Sequence, residues 1–255
     1  MREAIFHILF VWYPYVCLSA FIFGSLIRFD RDPYTWKAHS SQLLRKGQLA
    51  WGSNLFHIGI LFLLLGHTVG LLTPTAVYSV VITPMQKQML AIVAGSIAGL
   101  VCFVGLSLLL HRRLFDPRIR QTSTYMDLAV LTILWVQLCL GLLTVPFSLA
   151  HHDAEVMLTL SHWAQGILTV QPVDAKTLQG LQWPYLVHLV LGMTIFLIFP
   201  FSRLVHIWSA PVWYLGRRGY QVVRSRQVPA PGAPAGAGPR RGPAGPKGPA
   251  RLPAE

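Results

Sequence analysis

Charge is scarce in this 255-residue sequence: 12% of the residues are charged, about half the share of an ordinary soluble domain. Acidic residues are scarcest, nine against 21 Lys and Arg, while 53% of the chain is hydrophobic. A soluble globular fold is therefore excluded in favour of a chain that meets lipid. Cysteine is limited to Cys17, Cys102 and Cys139, each inside an apolar segment, with no CxxC or CxxCH among them. Three scattered thiols cannot supply the ligands of an iron–sulfur cluster or hold a molybdenum cofactor, and they read as small buried hydrophobes. The tail from Val228 onward is rich in Pro, Ala and Gly but keeps no strict period of three, which excludes collagen and leaves a disordered basic tail. The expected organisation is a membrane domain over 1–227 and a disordered segment over 228–255.

Long hydrophobic runs are present. Five are long enough to cross about 30 Å of hydrocarbon, at Ala4 to Ile27, Ala50 to Leu72, Met89 to Leu110, Asp127 to Ala150 and Pro184 to Trp208. The expected fold is all-α, a bundle of five transmembrane helices, because in lipid each backbone donor must be satisfied within its own helix. Basic residues gather between the first and second runs (Arg28, Arg31, Lys37, Arg45, Lys46), between the third and fourth (Arg112, Arg113, Arg118, Arg120) and after Trp208. The other two loops carry Lys87 and Lys176 alone. The positive-inside rule then predicts an N-terminus outside and a C-terminus in the cytoplasm in a multi-pass membrane protein. This distribution by loop, with no reading module, argues against nucleic acid as the partner of the net charge of +12. The first run is too long, and has too little positive charge before it, for a cleaved signal peptide.

Of the ten histidines, four fall within membrane segments or about a turn from their ends: His57 and His67 on the second, His188 and His206 on the fifth. An imidazole in hydrocarbon needs a partner. The second and fifth segments run in opposite directions, so His57 lies level with His206 and His67 with His188. As helices, these pairs are separated by roughly 15 Å on the second segment and roughly 27 Å on the fifth, a mismatch that tilt or an irregular turn at Pro200 must absorb. Eighteen steps of 100° return His188 and His206 to one face, while His57 and His67 stand about 80° apart.

Two facing pairs at two depths are what two stacked bis-imidazole haems require, and without a CxxCH these would be b-type. Zinc or copper would draw the ligands to one point, which the vertical separation forbids. A proton relay usually adds buried carboxylates, and Asp127 at a helix start is the one acid in these apolar runs. Gly59, Gly66 and Gly192 would leave room for a flat macrocycle. Close helix packing explains those glycines equally well, and hydrogen bonds to neighbouring helices remain the alternative for each histidine taken alone.

The stretches SNLFHIGIL, GHTVGLLTP, RRLFDPRIR, GLLTVPFS, HLVLGMT and FPFSRLVHIWSAPVWYL together resemble the gamma subunit of membrane-bound respiratory nitrate reductase. The similarity runs from about Tyr13 to Arg226. The resemblance implies that His57 and His206 ligate the haem nearer the cytoplasm and His67 and His188 the outer haem; Gly66, by its place beside His67, and Arg112 and Arg203, by their place at the inner end, are expected in the haem surroundings. It also implies a quinol site beside the outer haem, with the family's lysine falling on Lys87. An interfacial anchor that snorkels to the headgroups is the competing reading of Lys87. The implied partners are an iron–sulfur beta subunit and a molybdenum-bearing alpha subunit on the cytoplasmic side, besides membrane lipid and quinol. The outer loop around His151, His152 and His162 matches the family less closely, and His162 reads as a solvated loop residue. His39 and His111 read as interfacial polar groups, and His7 lies near the outer end of the first helix.

The activity implied is oxidation of quinol near the outer face and transfer of its electrons inward, against the membrane potential, for nitrate reduction on a partner subunit. Bis-histidine ligation leaves no open iron position, which suits electron transfer and argues against nitrate or oxygen binding at the haem. Arg112, Arg113 and Arg203 would neutralise haem propionates or meet the partners, with topology and headgroup contact as the alternative. Two rival functions share parts of this pattern: a di-haem anchor of another quinone-linked complex, and a haem-free membrane anchor or transporter.

Overall fold

The computed structural model describes residues 2–36, 46–150 and 154–209, so the tail, the boundary at 227, His39, His151 and His152 lie outside the described residues. Among the described residues all regular structure is helical. Helix α1 runs over Arg2–Arg31 and contains one π turn, Ile8–Trp12. It is followed by α2 (Lys46–Leu72), α3 (Pro84–Phe115), α4 (Tyr125–Ala150), α5 (Glu155–Leu168) and α6 (Trp183–Ile198). All but α5 belong to five segments long and apolar enough to cross a membrane, as expected. Their helix starts are chemically specified. Thr83 accepts from Gln86 N at 3.2 Å and donates its own N–H to Gln86 Oε1 at 2.9 Å, a reciprocal cap ahead of Pro84.

Neighbouring helices pack in the order α2, α3, α4, α6, α1. The tightest seam is α2 on α3, where a Cβ on Gly59 would lie 2.6 Å from the backbone nitrogen of Cys102 and one on Gly105 would meet the backbone nitrogen of Phe56. Without side chains at these points the two backbones approach closely, as is common between helices in lipid. Gly59 is therefore a packing glycine and leaves no room for a macrocycle.

Two elements depart from the sequence-based expectation. The segment between α4 and α6 was expected to be loop, yet it holds α5, whose Trp163, Ala164 and Ile167 are buried. Trp163 Nε1 donates to Phe10 O at 2.8 Å and Gln165 Nε2 to Leu71 O at 2.9 Å, so α5 fills the space between α1 and α2 at one end of the bundle. The second departure is the fifth segment, expected to run helically to Trp208. Helix α6 ends at Ile198 and gives way to 3-10 turns at Phe199–Phe201 and Arg203–Ser209, with Ser202 extended between them (φ −115°, ψ 178°). Pro200 has no N–H to continue the ladder and restricts the residue before it. The carbonyls of Pro200 and Ser202 accept instead from Arg28 Nη1 on α1, at 2.7 and 2.9 Å. Gly24 makes room, since a Cβ there would lie 2.8 Å from Pro200 Cγ. The eighteen-step argument that placed His188 and His206 on one helical face is thereby overturned, and the irregular turn at Pro200 takes its place.

Candidate functional site

At the α5 end of the bundle, α2 carries His67 and α6 carries His188, and their ring centroids lie 6.2 Å apart with the planes 35° from parallel. Two imidazoles on opposite sides of one metal, with bonds of about 2 Å to each, place their centroids roughly 6 to 6.5 Å apart. The spacing therefore fits one ion held between them.

The tautomers fit as well. His67 Nδ1 donates to Leu63 O at 2.7 Å and His57 Nδ1 to Ser53 O at 2.6 Å, each one helical turn back along α2. His188 Nδ1 donates to Gln137 O on α4 at 3.1 Å, and His206 Nδ1 to Arg203 O at 2.6 Å. A carbonyl can only accept, so all four rings carry their proton on Nδ1 and present the Nε2 lone pair. This is the arrangement of a metal-ligating histidine whose second nitrogen is fixed by an outer hydrogen bond.

Two residues around His188 had no signal in the sequence reading. Gly141 lets the ring lie against α4, since a Cβ there would be 3.0 Å from His188 Cε1. Gln137 takes the Nδ1 proton on its carbonyl, and its side-chain amide donates to His188 O at 3.0 Å and lies 3.4 Å from His188 Nε2. That last contact is long, and it leaves the Nε2 lone pair available to a ligand. Both residues lie four apart on the α4 face that meets α6, a pattern visible only once α4 and α6 are known to be neighbours.

Gly66 is exposed on the open side of α2, with nothing within 4 Å of a Cβ built on it. It keeps space free beside His67 and takes no part in helix packing. Gly192 differs, since a Cβ there would lie 3.1 Å from Gln137 Nε2.

The second pair is not brought together in the same way: His57 is exposed on α2, His206 is half-buried on the Arg203–Ser209 turn, and their rings make no contact. Around His206 the charges are organised. Arg203 Nη1 lies 3.4 Å from Asp127 Oδ1, and Arg113 Nη1 lies 3.5 Å from Asp127 Oδ2. Arg112 is 3% exposed, which rules out the headgroup contact offered as its alternative role.

Lys87 sits in the first turn of α3 with 7% of its surface exposed. Its ammonium lies over the Tyr78 ring, 3.7 Å from the centroid, and has no hydrogen-bond partner among the described residues. The snorkelling alternative is corrected here, because the side chain turns inward onto an aromatic face. The remaining described histidines stand apart from these groups. His162 is exposed on α5, His111 stacks on Phe115 at 4.8 Å, and His7 packs near Trp12 at 6.2 Å.

A chain whose described residues are all-helical, with five membrane-length helices, two of which carry imidazoles fixed by backbone carbonyls, is a multi-pass membrane protein. The family model described as nitrate reductase gamma subunit matches residues 6–226, and the chain belongs to that family. It is 48% identical over 214 residues to the respiratory nitrate reductase 1 gamma chain of Escherichia coli (strain K12), covering 84% of this chain and 95% of that one. Over 214 residues it is 38% identical to the nitrate reductase gamma chain of Bacillus subtilis (strain 168), with the same two coverages.

Proposed function

We propose that this chain is the membrane cytochrome b subunit of a respiratory nitrate reductase, which oxidises quinol and delivers its electrons to partner subunits. His67 and His188 hold one b haem and His57 and His206 a second. The observation that carries the reading is the His67–His188 ring spacing of 6.2 Å, with every one of the four Nδ1 protons committed to a backbone carbonyl. A bound haem supplies one-electron redox chemistry. The residues supply the rest. The four Nδ1 hydrogen bonds fix ring orientation and make Nε2 more basic, and Gly66 and Gly141 keep space at the outer pair.

Lys87 is the quinol-binding residue in this reading. Among the described residues its buried ammonium has no hydrogen-bond partner and lies over the Tyr78 ring, and it can donate a hydrogen bond to a quinol hydroxyl, favouring loss of that hydroxyl's proton. The N-terminus is periplasmic and the C-terminus cytoplasmic in the inner membrane, supported by the crowding of Arg28, Arg31, Arg112, Arg113 and Arg203 at the end of the bundle away from α5. Quinol protons then leave on the α5 side. An iron–sulfur beta subunit and a molybdenum-bearing alpha subunit dock at the arginine-rich end, where nitrate is reduced.

The test is a reduced-minus-oxidised optical spectrum with haem quantitation for the wild type, His57→Ala and His188→Ala, followed by quinol-driven nitrate reduction in the assembled complex. Two b haems, with each substitution removing a different one, support the reading. A colourless wild type prepared with adequate haem supply sinks it and leaves a haem-free anchor or transporter.

A further inference from the structure

We propose that Asp127 is a positioning residue for His206, acting through Arg203; this rests on the reading that His206 ligates a haem. His57 and His67 hang from carbonyls one turn back on a regular helix, so α2 itself orients them. His206 has no such support. It lies on a 3-10 turn beyond an extended residue, and its Nδ1 proton goes to the carbonyl of Arg203 at 2.6 Å. Whatever fixes Arg203 therefore fixes the imidazole.

One carboxylate does this from α4. Asp127 is in the first turn of α4, and its N–H donates to Thr124 Oγ1 at 3.1 Å while Thr124 N donates back to Asp127 Oδ2 at 3.4 Å. This reciprocal cap locks the Asp127 side chain at the helix N-terminus, where the macrodipole favours negative charge. From there Oδ1 reaches Arg203 Nη1 at 3.4 Å, and Oδ2 reaches Arg113 Nη1 on α3 at 3.5 Å. The side chain of Asp127 is 12% exposed and that of Arg113 13%, so solvent screens these pairs little. Arg28 holds the other side of the same turn through the carbonyls of Pro200 and Ser202. The turn is thus pinned to α1 by Arg28 and to α3 and α4 by Asp127.

Asp127→Asn separates this role from the reciprocal cap, because Asn keeps the size of the side chain and an amide oxygen that can still accept from Thr124 N. Its missing charge falls on the two arginine pairs and on the α4 N-terminus, and a haem-specific readout separates the first from the second. Redox titration and low-temperature electron paramagnetic resonance of the full complex would compare wild type, Asp127→Asn, Asp127→Glu and Arg203→Gln. His206→Ala identifies the haem concerned. In Asp127→Asn both haems are expected to remain bound. The one lost in His206→Ala should show a raised midpoint potential and an altered low-spin signal, since two uncompensated guanidiniums favour the reduced iron. The other haem should be unchanged, and Asp127→Glu should return towards wild type. Arg203→Gln should move the same haem in the opposite direction, and it keeps the test open if Asp127→Asn fails to accumulate. Unchanged signals, or equal effects on both haems, overturn the proposal. A haem-free wild type overturns it together with the haem reading, and is recognised because no variant need be compared.

Discussion

The two ends of the bundle present histidines by different means. At the α5 end, His67 and His188 stand on regular helices with their ring centroids 6.2 Å apart, and Gly141, lacking a side chain, leaves room for the His188 ring. At the arginine-rich end, His206 is carried by a turn that no helical ladder supports, and Arg28, Arg203 and Asp127 take over its orientation. The first pair stands on regular helices, with the Gln137 carbonyl on α4 fixing His188, whereas ionic side-chain chemistry from α1 and α4 holds the turn that carries His206. Substitutions should therefore affect the two ends separately, except where they part the helices that both ends share.

The largest effect is expected from Gly105→Val, which erases the distinction. A Cβ there meets the Phe56 backbone nitrogen and lies 2.8 Å from Gly52 O, and neither can yield without separating α2 from α3. The cost should be about 3 kcal/mol or more, read as loss of folded protein and of both haems in detergent extracts. Gly141→Val should act at the α5 end alone. It drives a branched side chain into the His188 ring and should lower haem occupancy there by roughly 10- to 100-fold, the usual cost of disturbing a ligand's support, with the second haem intact.

Arg28→Ala should act at the opposite end. It strands the Pro200 and Ser202 carbonyls and should cost about 1.5–3 kcal/mol, with the haem of His206 disturbed first in a thermal melt followed by its absorption band. Lys87→Met should leave both haems in place and raise KM for quinol by about tenfold, a loss of about 1.4 kcal/mol in binding, and Lys87→Arg should recover part of it. The smallest effect belongs to Lys176→Ala. Its pair with Glu3 is 65% and 72% exposed at the two side chains, and thermal stability should change by less than about 0.5 kcal/mol.

The same asymmetry explains what the sequence could tell. The five spans were legible because length and hydropathy alone identify them, and the four histidines stood out because imidazoles are rare inside such runs. The end of α6 was not legible, since the residues after Pro200 stay as apolar as those before it and a proline in a membrane helix can merely kink it. Helix α5 was missed because it is short and carries polar residues such as Ser161, His162 and Gln165, two of which bond to α2. Gln137 and Gly141 gave no local signal, and Asp127 stood out as the one acid in the apolar runs without showing what it would pair with. Their roles arise from which helices are neighbours, and one sequence contains no direct record of that. Lys87 was visible as a lone charge, but its direction, onto Tyr78 and away from the headgroups, depended on the short helix Thr75–Tyr78 placing that ring beneath it.

The central claim is the pairing of His67 with His188 and of His57 with His206. Haem content of two double variants tests it most directly. If the pairing holds, His67→Ala/His188→Ala retains one haem per chain, and His57→Ala/His188→Ala retains none. One haem left in the second variant, or none in the first, would contradict the account.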